Sequence, residues 1–225
     1  MLQEAKMGAK LAQQCSTSVP EQKMRQTVSK ELFGYWSDLK GARSAPDRSE
    51  INPSAIRHVL ADSFIIEVDQ AKAKFPIRLC GTRLNALWLS EQRGKSFLDL
   101  WREQDRINVT AALMTVVEGV SPVVAGVNGG ASGVEPVDFE LLLLPLRYFG
   151  KTHSRIIGSL TPARRAAWFG AAPTEPLALK SLRVIDDAEQ AFRAPWGASQ
   201  LAALRHAQRR PPRFVVYEGG KSRFP

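Results

Sequence analysis

The chain has 225 residues, 44% of them hydrophobic, with 31 lysines and arginines against 22 aspartates and glutamates, and two cysteines. These values exclude wholesale disorder and a disulfide framework, permit one domain with appendages or two small ones, and suit a reducing, cytoplasmic compartment. The net charge of +9 sits on the ends: residues 1–30 carry five basic and two acidic side chains, residues 31–160 fifteen of each, and residues 161–225 eleven and five. A neutral middle argues against a nucleic-acid surface built into the fold. It leaves basic ends for an acidic partner, a membrane surface or nucleic acid, the last being the weakest reading.

Residues 1–28 read as a polar leader without the apolar run of a secretory signal. From Ser29 a helix is expected, with Leu32, Phe33, Tyr35, Trp36 and Leu39 on its apolar face and Gly41 as its stop. The turn-rich stretch that follows is punctuated by Ile51, Ile56, Val59 and Leu60, which can anchor it on a core. Phe64–Asp69 and Lys74–Cys80 are the first strands, joined by a polar hairpin loop. After Gly81 the period changes: Leu84, Leu87 and Trp88 recur at helical spacing, with Thr82 as N-cap.

Phe97, Leu98, Leu100 and Trp101 pack a short turn. Asp105–Glu118 is the longest helix of the middle, with Ile107, Ala111, Met114 and Val117 on one side. Val123–Val127, Val134–Leu146 and Thr152–Leu160 follow as strands, the glycine-rich 128–133 forming a hairpin loop. Pro145 has no N–H and belongs at a bulge or an edge. The longest apolar run, Leu141–Leu146, is too short to cross a bilayer, so no membrane insertion is expected. Pro162 closes the expected domain of 29–162. Residues 163–225 read as a basic extension in which "KSLRVID" can add a strand and Phe214–Tyr217 can pair with a sheet edge.

The pieces "YWSDLKGARSAPDRSEINPSAIRHVLADSFIIEV", "IRLCGTRLNALW", "GKSFLDLW", "SPVVAG", "FELLLLPL" and "RIIGSL" together resemble a compact PAS-like domain family of alphaproteobacteria, over about Leu32–Leu160. The resemblance implies an α+β, PAS-like fold: a five-stranded antiparallel sheet with helices over one face, plus a flanking N-terminal helix and the C-terminal extension. It also implies a regulatory protein in bacterial signal transduction, acting by protein–protein interaction. Its partners would be a second copy of the chain, a histidine kinase or another signalling protein. The alternative is a small-molecule sensor with a pocket between sheet and helices.

No catalytic constellation accompanies these elements, and no enzymatic activity is expected. His58, His153 and His206 are scattered, without a CxxC or an i,i+4 pair, so no metal site is expected. Cys80 lacks the surroundings of a light-reactive cysteine and reads as a buried structural thiol. Asp138 and Glu140 share one face of a strand, opposite Phe139, and read as solvated sheet surface. Arg78 and Arg83 read as structural ion-pair partners, with Glu140 or Asp99 as candidate carboxylates, or as anchors for an acidic ligand at the pocket mouth. Trp88, Phe97, Trp101, Met114 and Phe139 are the pocket candidates, and a packed core is the competing reading. No cofactor is specified. Leu32, Tyr35 and Trp36 are the interface candidates, since aromatic anchors suit interfaces, and they can equally cap the chain's own sheet.

Overall fold

The computed structural model describes residues 24–70, 72–149 and 152–185. Helix α1 (Thr27–Lys40) is amphipathic, burying Leu32, Phe33 and Trp36. Gly41 ends it at φ 54, a left-handed conformation that glycine adopts without steric cost. Strands β1 (Ser63–Glu67) and β2 (Ile77–Cys80) come next, then helices α2 (Thr82–Leu87) and α3 (Arg106–Glu118). Strands β3 (Val123–Gly129), β4 (Val137–Tyr148), β5 (Thr152–Pro162) and β6 (Ala178–Val184) complete the order.

The strands form one antiparallel sheet in the order β2-β1-β5-β4-β3-β6. The fold class is the expected α+β arrangement, but the sheet has six strands and not five. The sixth, β6, pairs along β3 from Val123↔Val184 to Asn128↔Ala178. Without it β3 would be a seven-residue apolar edge, open to pairing with another chain. The expected boundary at Pro162 therefore cuts off a strand of the sheet. Trp168, Leu177 and Ile185 are also buried in the same cores as the rest of the chain.

Side-chain alternation gives the sheet two apolar faces. On the inner face Phe64, Ile66, Leu141, Leu143 and Leu160 pack under α2, α3 and the turn at Phe97–Leu100. On the outer face Ile65, Leu142, Leu144, Leu146 and Ile157 pack under α1 and the anchors Ile51, Ile56 and Val59. This explains the unbroken run Leu141–Leu144: β4 is covered on both sides, so alternation gives way to continuous hydrophobicity. Each buried leucine contributes about 1.5–3 kcal/mol before the entropy of ordering it.

Two expectations for the helices change. The N-cap of α2 is Gly81, not Thr82, which is already its first helical residue. Gly81 is required because a Cβ there would overlap the carbonyl oxygens of Leu60 and Ala61. Helix α3 buries Val109, Ala112, Leu113, Val116 and Val117, leaving Ala111 exposed and Ile107 80% exposed. The valines and Leu113 outweigh the single isoleucine, so the helix is rotated from the expected face. Pro145 lies where β4 has outrun β3, whose last pair is Val123↔Leu143, so β4 is locally an edge. Trp36 Nε1 donates to the Pro145 carbonyl at 2.8 Å, and the next residue but one, Arg147, is bridged by Asp47.

Candidate functional site

Between the inner face and α2 lies the cavity in which a sensor of this architecture would hold a ligand. It is lined by Phe64, Ile77, Leu84, Trp88, Phe97 and Trp101, and by Leu177 from the segment after β5. Its volume is about 10 Å³, at the lower limit for one water molecule. The chain's own rings fill it. Phe97 packs on Phe64 at 5.3 Å and on Trp101 at 5.9 Å between ring centroids. Phe64 seats over Gly158, where an added Cβ would stand 2.5 Å from Phe64 Cζ. No charged side chain lines the cavity, and Trp101 Nε1 is buried with no acceptor among the described residues.

Of the pocket candidates, Trp88, Phe97 and Trp101 are brought together there. Met114 is half-buried against the same core, and Phe139 faces inward further along β4, where it meets Phe169 at 5.9 Å. Arg78 and Arg83 lie outside the cavity lining. Arg78 is exposed on the edge strand and pairs with Glu67, which also receives Arg155 Nη1 at 2.9 Å. Arg83 pairs with the buried carboxylate of Asp62. Neither uses Glu140 or Asp99. The β1–β2 pairing sets Glu67 beside Arg78, and the turn at Leu60–Asp62 abuts the start of α2.

The Glu67 carboxyl is held below the ordinary carboxylate range, chiefly by the hydrogen bond from Arg78 and further by the charge of Arg155. Burial, with a smaller effect from Glu91, pushes the Cys80 thiol up to about 11, so the nucleophilic thiolate is scarce at neutral pH. His58 pairs with Glu31 at 2.9 Å on the surface, His153 lies at the start of β5, and His206 is outside the described residues. Among the described residues no group of three His, Cys, Asp or Glu side chains is placed to hold a metal ion. No helix among them is long and apolar enough to cross a membrane.

Asp138 and Glu140 do share the outer face, but they do not act as a pair. Asp138 is exposed and accepts from Asn128 Nδ2 at 3.0 Å. Glu140 is buried, not solvated, and accepts the backbone N–H groups of Arg25 and Gln26. The interface candidates Leu32 and Trp36 are fully buried against the chain's own sheet. Only Tyr35 keeps part of its surface, and its hydroxyl accepts the Asn52 N–H at 2.8 Å. Sequence reasoning missed Glu140 as an acceptor at the helix end and Leu177 as part of the cavity lining. The signal for Leu177 was the apolar "PLAL" inside an apparent linker. Its backbone N–H bonds Leu100 O at 2.8 Å and its carbonyl accepts from Arg102 at 3.0 Å, which stitches the segment to the helical side.

The fold is a six-stranded antiparallel sheet with helices on both faces and a small apolar cavity on the inner one. The family profile described as PAS domain matches residues 24–161, more than half of the chain, and the chain belongs to that family. Among solved structures it is similar to a Rhodobacter sphaeroides LOV protein, with a TM-score of 0.38 and 13% identity, covering 61% of this chain and 69% of that one. A single-residue variant of RsLOV gives 0.37 and 17%, over 49% and 67% of the two chains. An RNA-binding light-oxygen-voltage receptor gives 0.34 and 17%, over 67% of this chain and 36% of that one. No curated protein matches the chain.

Proposed function

We propose that this protein is a regulatory PAS-domain protein of bacterial signal transduction that works by protein–protein interaction, without an internal ligand and without catalysis of its own. The observation that carries this reading is the cavity of about 10 Å³, filled by Phe64, Phe97 and Trp101 and free of charged groups. Small-molecule sites are commonly 300–1,000 Å³ with a few convergent polar groups. The reading leaves the surface to carry the signal, with a second copy of the chain or a signalling kinase as partner. In this reading the domain runs past Pro162 to include β6.

Cross-linking mass spectrometry on the full-length protein in host extract tests the reading. The expected result is a reproducible set of links from surface residues to a second copy or to one signalling protein. Only intrachain links, together with a small molecule that leaves on unfolding, would sink it.

A further inference from the structure

An open groove of the described surface lies outside the sheet–helix cavity, between α2, the end of β5 and the segment after it. It has a volume of about 460 Å³, a floor that includes Leu84, Leu87 and Phe169, and a rim of Arg83, Arg164 and Arg165. Asp62 is the only carboxylate of the lining, and its side chain is 5% exposed against 65% for its partner Arg83. The lining thus carries three cations and one buried anion. Arg164 is 55% exposed and, among the described residues, forms one ion pair, at 3.0 Å, to Glu135 outside the groove. Arg165 is exposed and makes no ion pair among the described residues. A guanidinium presents five N–H donors, so one contact leaves most of its donors for a carboxylate from another molecule.

A second groove, of about 410 Å³ on the outer face, is lined by Arg25 and Lys180 but also by Asp138 and Glu140. There the charges cancel. The arginine groove combines an apolar floor with three arginines, of which Arg83 pairs with Asp62, Arg164 pairs with Glu135, and Arg165 makes no ion pair among the described residues. Resting on the interaction reading above, we infer that this groove docks an acidic, leucine- or phenylalanine-bearing segment of a partner protein, its apolar side chains on the floor and its carboxylates on Arg83, Arg164 and Arg165. Residues 1–30 carry a charge of +3, the wrong sign for this rim. The exposed rim also favours a peptide over a small anion, since small-ligand sites enclose most of their ligand. Arginine at an apolar patch is a recurring anchor for acidic motifs.

The test pans a random dodecapeptide phage library against the full-length protein, with the double variant Arg164→Glu/Arg165→Glu as counter-target. Both positions are exposed, so the variant keeps the fold, which circular dichroism verifies. Enriched peptides that join Asp or Glu to Leu or Phe are expected, and one of them, fluorescein-labelled, should bind the variant at least about tenfold more weakly. Its affinity should also fall between low salt and 0.5 M salt. No enrichment, enrichment of peptides without acidic residues, equal affinity for the variant, or binding of laurate in place of peptides overturns the assignment. Native mass spectrometry in parallel separates the two claims. A retained small molecule counts against the interaction reading, whereas an empty protein whose peptide binding ignores the charge reversal counts against the groove alone.

Discussion

The carboxylate of Glu140, in the middle of the sheet, holds the chain at the start of the N-terminal helix: its Oε2 accepts the backbone N–H of Arg25, just before the N-cap, at 2.6 Å. Oε1 takes the N–H of Gln26 at 3.0 Å, and the N-cap residue Gln26 supplies no side-chain cap of its own. Sheet and helix are thereby joined at the end where unsatisfied N–H groups and the helix dipole both favour an anion. Glu140→Ala should destabilise the fold by about 1.5–3 kcal/mol, the range for hydrogen bonds to a charged group. Glu140→Gln, which keeps one acceptor, should fall between. Urea denaturation gives the magnitudes, and hydrogen exchange should localise the loss to residues 25–32.

Trp36 separates a helix that caps its own sheet from one that caps another subunit. Its ring is fully buried and its Nε1 is bonded to Pro145 O. Trp36→Ala should cost about 3–5 kcal/mol of folding stability, while Tyr35→Ala should cost much less. Thermal melts together with light scattering would reveal the opposite pattern, a lost dimer with an unchanged melt, if the helix served an interface instead.

Glu67 makes the β1–β2 edge sensitive to acid. Its carboxyl pKa is lowered in the folded state, first by the Arg78 hydrogen bond and then by the Arg155 charge. A depressed carboxyl contributes stability that is present above its unfolded value, about 4.3, and is lost as the pH falls through the lower folded value. Glu67→Gln should therefore flatten the fall in the denaturation midpoint below about pH 4.3 and leave its shape at pH 6–8 unchanged.

Cys80 should be inert while the protein is folded, because burial raises its pKa to about 11. In a Cys15→Ser background, where it is the sole thiol, iodoacetamide at pH 7.5 should modify it slowly in buffer and completely in guanidinium. Equal rates in both conditions would show that the thiol is not enclosed.

The element order, the hairpins and the inner core were legible because period changes and glycines mark them directly, as where Gly81 ends β2, but the cover on both faces of Leu141–Leu144 was not, since helices were expected over one face. What stayed hidden depends on distant segments meeting. The run KSLRVID was legible as a possible strand, but its place beside β3 was not, because β3 and β6 meet only in the fold. Glu140 looks like surface until the helix end from more than a hundred residues earlier lands on it. Arg83 could not be matched with Asp62, 21 residues away, before the fold was known. The closed cavity was undecidable from sequence, since the same rings can line a void or fill it.

The central claim is that the interior holds no ligand, and native mass spectrometry of the freshly purified full-length protein tests it most directly. The account predicts masses equal to whole multiples of the bare chain and nothing released on denaturation. A stoichiometric small molecule, retained in the native spectrum and shed on unfolding, would contradict it.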